Sequence, residues 1–229
     1  MGLMTSLKAR MAYAKQQKGE FAEAMKLYGE ALDAGMNDAR YILNYTVLLI
    51  RDGQYQKARE LLVKIQKSPL ITADQRRQLL VNYSACVYKM GELEKGISVL
   101  EQQHQKAPSG LIYETLGYLY VEAGDADKAL AYNQEALDYD DEDAIVLDNM
   151  GQVYYRMLGD KAKAKEYFDR AHALKEKQID TLYFLAQYDL EAGDKEAAKA
   201  KLETALGGRF SPLNYASREM VQSQLDSLQ

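Results

Sequence analysis

The chain has 229 residues, of which 47% are hydrophobic and 28% charged, and its net charge is −5. That balance suits a folded protein rather than a disordered one, and the acidic pI near 5.3 removes the general attraction to phosphate on which nucleic-acid binding rests. The single cysteine, Cys86, cannot form an internal disulfide, and no apolar run reaches membrane-spanning length.

Lys8, Arg10, Lys15 and Lys18 interrupt the region where a secretion signal would be apolar, so a cytoplasmic location is expected. MGLMTS has the Gly2 and Ser6 of the N-myristoylation pattern. Six loosely specified residues match by chance, and one acyl chain binds membranes only marginally, so no membrane partner is expected. Three prolines, no tryptophan and abundant Ala, Leu, Glu, Lys and Gln favour helix.

The first helical stretch begins near residue 5 and stops at Gly19. GEFAEAMKLYGEAL, Gly19 to Leu32, then opens a second helix, and the phrase returns as GDADKALAYNQEAL at Gly124 and GDKEAAKAKLETAL at Gly193. Its leading glycine recurs as Gly19, Gly53, Gly91, Gly124, Gly159 and Gly193, at intervals of 34, 38, 33, 35 and 34 residues. Each interval predicts two helices joined by a glycine turn, in repeats at approximately 5–38, 39–71, 72–109, 110–143, 144–178 and 179–210, as a single array over 1–229. The long interval carries four extra residues around KSPLITADQ. Pro69 should stop the helix before it, Thr72 with Gln75 reads as a capping box, and the helix that follows should be one turn longer at its start. Leu158, one extra residue in the fifth repeat, is expected in the hairpin turn. After the sixth, Ser211 and Pro212 read as the N-cap and first residue of a closing helix over 212–228, with Leu213, Ala216, Met220, Val221 and Leu225 as its apolar stripe. No matching cap precedes the first repeat.

Numbering each glycine as position 15, position 8 holds Ala12, Thr46, Ser84, Gly117, Gly151 and Ala186, and position 20 holds Ala24, Ala58, Gly96, Ala129, Ala164 and Ala198. All are small, as required where two antiparallel helices approach closely. Bulky residues surround them at helical spacing, such as Tyr113, Leu116 and Tyr120. Position 24 is large in Tyr28, Leu62, Leu100, Phe168 and Leu202, and Asn133 departs from it. In period and internal pattern the chain resembles the tetratricopeptide repeat family. The resemblance implies an all-α fold, a right-handed superhelical α-solenoid of antiparallel helix hairpins.

Residues that carry chemistry are sparse. His104 and His172 occupy the same place two repeats apart and cannot share a metal; both read as residues near helix ends. DYDDED, Asp138 to Asp143, lacks the sixth-position glycine and twelfth-position glutamate of a calcium loop and falls where acidic residues cap a following helix. There is no phosphate-binding glycine loop, serine elbow or cysteine–histidine cluster, so an enzyme, a metal and a cofactor are not expected.

The resemblance also implies that positions 2, 5, 6, 9, 12 and 13 of each first helix line a concave groove that binds protein ligands. These positions hold Tyr13 and Gln17; Arg40, Asn44, Val47 and Arg51; Asn82, Tyr88 and Lys89; Glu114, Tyr118 and Glu122; Asp148, Asn149, Gln152, Tyr155 and Arg156; and Tyr183, Gln187 and Glu191. Asn44, Asn82 and Asn149 share position 6, where family members use the amide to hold a ligand's backbone. The lysine with which chaperone-tail binders grip a terminal carboxylate is absent from position 5, so that ligand is not expected. Residues 109–160 contain Lys128 and Arg156 against twelve acids, which places Glu114, Glu122 and Asp148 together and suggests a partner with a basic stretch. The expected function is a non-enzymatic scaffold that binds an extended protein segment, as a monomer or weak homodimer. The alternative is a peptide-sensing regulatory receptor or a repeat fragment of a larger regulator; the few residues before the first repeat leave no room for an effector domain, which favours the scaffold.

Overall fold

The structure, a computed structural model, describes residues 2–228. Met1, the first residue of the MGLMTS pattern, and Gln229 lie outside the described residues. The described chain contains thirteen α-helices and one π-helical stretch, and it divides into two compact units, Met1–Gln103 and His104–Gln229.

In the first unit, α1 (Leu3–Gln17) pairs with α2 (Phe21–Asp33), and α3 (Ala39–Arg51) with α4 (Tyr55–Gln66). Next come α5 (Ala73–Lys89) and the start of α6 (Leu93–Lys106). α3 packs on α1 and α2, and α5 packs on α3 and α4, so each first helix lies in the cleft of the hairpin before it. The second unit pairs α7 (Gly110–Ala123) with α8 (Ala126–Tyr139), α9 (Ala144–Gln152) with α10 (Lys161–Leu174), and α11 (Ile179–Glu191) with α12 (Lys195–Leu206). α13 (Arg218–Asp226) packs on α12. Both units are stacks of antiparallel hairpins, an all-α solenoid.

The twelve small positions are all buried, and around them Tyr28, Leu62, Leu100 and Phe168 are fully enclosed. Six turns between paired helices carry glycine at a φ of 70° to 83°, a left-handed conformation that costs a side-chain-bearing residue about 1–2 kcal/mol. Asp125, Asp160 and Asp194 then cap the helices after those glycines, each accepting the backbone N–H of the residue three on. Asn133, the exception at position 24, is fully buried and donates to the carbonyl oxygens of Gly117 and Ala129. A Cβ on Gly117 would collide with its amide, so the glycine and the asparagine form a matched pair.

The four extra residues act as the sequence suggests. α4 ends at Gln66, Thr72 and Gln75 form a reciprocal capping box, and α5 has 17 residues against 13 in α3. Leu158 is a correction. Its extra residue lies in the helix, where Val153–Leu158 continues α9 as a π-helix. The N–H that closes the turn spans five residues in Gln54 to Leu49 and Glu92 to Val87, but six in Asp160 to Tyr154. Widening one helical turn admits the residue while the turn glycine keeps its left-handed form. The closing helix is a second correction: it begins at Arg218 with Ser217 as N-cap, six residues beyond Pro212. The segment before it is held open by Asp180, whose carboxylate accepts from the backbone N–H groups of Tyr215 and Ala216 and from the Asn214 amide. Ala216, Val221 and Leu225 close the core over Leu182, Ala198, Leu202 and Ala205.

Candidate functional site

In the first unit the candidate residues lie on the outward parts of α1, α3 and α5. Tyr13, Gln17, Arg40, Arg51 and Lys89 are exposed, and Asn44, Val47 and Tyr88 are half-buried. Arg40, Asn44 and Val47 line a hollow of about 360 Å³ with Leu43 of α3 and with Asp74, Gln75 and Gln78 of α5. Asn44 Nδ2 donates to the Arg40 carbonyl at 2.8 Å, a bond within its own helix that orients the amide along the wall. The Arg40 guanidinium lies 4.7 Å from the Tyr41 ring and donates to Asp38 at 3.1 Å, and the Lys89 ammonium lies 4.7 Å from the Tyr88 ring.

Asn82 is placed differently from the expectation. It is 4% exposed, donates to Thr46 Oγ1 at 3.1 Å and accepts from Gln78 Nε2 at 2.7 Å. Its amide joins α5 to α3 rather than reaching a ligand. Asn149 does the same in the second unit, donating to the Glu114 carbonyl at 3.0 Å. The recurrent position-6 asparagine is therefore a link between consecutive first helices at two of its three occurrences.

The corresponding face of the second unit is largely closed by its own side chains. Tyr118, Asp148, Asn149 and Gln152 are all buried, which corrects their expected place on an open wall. Asp148 Oδ1 accepts from Thr181 Oγ1 at 2.6 Å and Oδ2 from Gln152 Nε2 at 2.8 Å. Gln152 Oε1 in turn accepts from the Arg156 guanidinium at 2.8 Å, which also donates to Glu122 at 2.8 Å and stacks 4.1 Å over the Tyr215 ring. Tyr155 packs on Phe184 and Tyr183 on Tyr215, and Gln187 exchanges two 2.8 Å amide bonds with Gln224 of α13. Glu191 is exposed and paired with Lys161.

Electrostatics follow from this closure. Burial, helped by the charge of Asp180, pushes the Asp148 carboxyl up to about 7 against the bonds from Thr181, Gln152 and Gln178. Burial also raises Asp180, opposed by its bonds from Ala216, Asn214 and Tyr215. Glu114 rises to about 7, chiefly by burial and then by the nearby Asp143. With Glu122 paired to Arg156, the three acids expected to draw a basic ligand present less negative charge than their sequence suggests.

Sequence reasoning missed Asp180, Thr181 and Asn214, which hold this network together. Asp180 shares its place in the repeat with the exposed Arg40 and the half-buried Gln78, so an acid there gave the sequence no distinguishing sign. Cys86, His104 and the end of the acidic run are occupied structurally. Cys86 is buried, which pushes its thiol up to about 12, and His104 Nε2 lies 3.2 Å from Glu135 with its ring edge-on to Tyr113 and Tyr132. Asp143, the last of the acidic run, caps α9 by accepting from the N–H groups of Ile145 and Val146. Among the described residues no three His, Cys, Asp or Glu side chains gather as a metal site would require, and no helix is long and apolar enough to cross a membrane.

The sequence model of the tetratricopeptide repeat matches residues 111–177. No curated protein gives a significant sequence match. Among solved structures, the fold is similar to TTC0263, a thermophilic tetratricopeptide repeat protein of Thermus thermophilus, at 20% identity over 83% of this chain and 98% of that one, with a TM-score of 0.66. It is also similar to PilW, a type IV pilus biogenesis factor, at 14% identity over 98% and 100% of the two chains with a TM-score of 0.67. PilF of Pseudomonas aeruginosa matches at 16% identity over 97% of each chain, with a TM-score of 0.61.

Proposed function

Because this chain belongs to the tetratricopeptide repeat family, whose members generally bind proteins and are not catalysts, we propose that it is a non-enzymatic scaffold that holds an extended protein segment. The observation that carries the reading is the hollow between α3 and α5, where Arg40, Asn44 and Val47 offer a cation, an amide and an apolar surface on rigid helices. An extended segment presents a backbone carbonyl and N–H at every residue, and an amide beside an apolar patch holds such a chain without demanding one sequence. Arg40, Arg51 and Lys89 make this face basic, and a rim of charge acts more on association rate and orientation than on affinity.

The basic stretch expected of the partner has weaker footing on the second unit, since Glu122 is already paired and Asp148 is buried. The first unit's face is therefore the proposed seat of the segment. A peptide-display selection against the full chain tests this, with each enriched peptide titrated against an Arg40→Glu, Asn44→Ala double variant. Binding should weaken about tenfold or more, a loss of roughly 1.4 kcal/mol, while Gln187→Ala changes nothing. Equal binding by the double variant would remove this face as the site.

A further inference from the structure

The first unit has a larger cleft on the side of its α2–α3 and α4–α5 loops. It encloses about 720 Å³, within the range of sites that hold small ligands or peptide side chains. Its floor is apolar, with Met36, Ile42, Leu61 and Ile65 each less than a tenth exposed. One rim is made by the four-residue insertion that distinguishes the third repeat, so no other repeat carries an equivalent wall. That rim holds Leu70, 87% exposed, and near it Lys64 and Lys67 stand one helical turn apart at the end of α4, both exposed and both lining the cleft.

Among the described residues neither lysine has an acidic partner. Asp38, on the opposite side, is already occupied: its two oxygens accept the backbone N–H and the guanidinium of Arg40. The charge of the unit points the same way, with fifteen Lys and Arg against eleven Asp and Glu in residues 1–103. An apolar floor, two unpaired ammonium groups and an outward leucine form a three-part pattern. A small apolar acid would satisfy the floor and one lysine, and would leave Leu70 and the second lysine unused.

We propose that this cleft docks an acidic segment of a partner protein through a leucine-type anchor. The anchor seats over Met36 and Ile42, flanking carboxylates meet Lys64 and Lys67, and Leu70 covers the anchor from outside. An exposed lysine–carboxylate pair is worth little by itself, but beside an apolar anchor that excludes water it gains strength and sets register. The site shares Gln75 with the hollow between α3 and α5 but takes its floor and its two lysines from other residues, so each can fail without the other.

The test is fluorescence anisotropy of the full chain with a short fluorescein-labelled peptide carrying a leucine pair flanked by glutamates. Saturable binding is expected, weakening with salt, about tenfold in Lys64→Glu, Lys67→Glu and several-fold in Leu70→Ser. The Asn44→Ala variant, which leaves the Arg40–Asp38 pair intact, should bind it normally. All three changed residues are exposed, so circular dichroism should show an intact fold; Lys64→Gln, Lys67→Gln serves if charge reversal disturbs it. Absence of saturable binding, equal binding by the lysine variants, or binding of decanoate by a chain that ignores the peptide would each overturn the proposal.

Discussion

Gly151→Ala is the substitution whose cost can be worked most directly. A Cβ at this position would stand 2.5, 2.6 and 2.9 Å from three ring carbons of Phe168, where carbon atoms normally sit about 3.5–4.0 Å apart. The ring must therefore move by about 1 Å. It has nowhere free to go: Phe168 is fully buried and stacks on Phe184 at 4.9 Å, which stacks on Tyr215 at 5.1 Å. Overpacking of this kind costs about 1–3 kcal/mol, and the absence of slack places this site near the top of that range. Alanine returns roughly 1 kcal/mol through its higher helix propensity, leaving a net loss of about 2 kcal/mol. For a chain of this size that lowers the melting midpoint by about 4–8 °C. Gly96→Ala is the control, since its Cβ would meet Ser84 O at 3.2 Å and Val87 at 3.3 Å, contacts that a small shift relieves against the same gain in propensity. Urea and thermal unfolding followed by circular dichroism measure both. A Phe168→Leu change should restore part of the loss when combined with Gly151→Ala and not with Gly96→Ala. If Gly151→Ala is as stable as the parent, or if the two glycine variants lose equally, the close approach of these helices is not what constrains position 8.

Asp180→Ala leaves the N–H groups of Tyr215 and Ala216 without their acceptor, so α13 should lose hydrogen-exchange protection at a cost of about 2–4 kcal/mol; unchanged protection there would count against the clasp. Deleting residues 212–229 should expose the core that Val221 and Leu225 cover and cause aggregation, and a monodisperse truncated chain with the parent's melting point would contradict this. The carboxyl of Asp148 is raised in the folded state, so the native chain binds more protons than the unfolded one between about pH 4 and 7. Stability should fall as pH rises through that window and level off above it, and Asp148→Asn should flatten the slope; an unchanged slope in the variant would assign it elsewhere. Cys86, buried and with its thiol pushed up to about 12, should resist iodoacetamide at pH 8 until the chain is unfolded, and rapid stoichiometric labelling of the native protein would show that α5 opens readily.

The repeat register was legible in the sequence because it rests on steric requirements that each residue meets by itself. A left-handed turn needs glycine, and two helices that nearly touch need Ala, Gly, Ser or Thr; Gly124, Ala129 and their counterparts state these needs wherever they occur. Local hydrogen-bond patterns such as the Thr72–Gln75 box could be read for the same reason. The candidate site was legible only as a set of helix positions. Whether Asn44 faces a hollow while Asn82 and Asn149 are spent on the neighbouring first helix depends on which carbonyl or hydroxyl the packed neighbour brings within reach, here Thr46 and Glu114. The late start of α13 was hidden for a similar reason, since Ser211 and Pro212 are sound opening residues until a buried Asp180, more than thirty positions away, takes the backbone that a helix would use. Leu158 announced an extra residue but not its place. Turn and helix could each absorb it, and the closed π turn at Val153–Leu158 exists because the packed hairpin holds Gly159 where its left-handed turn must be.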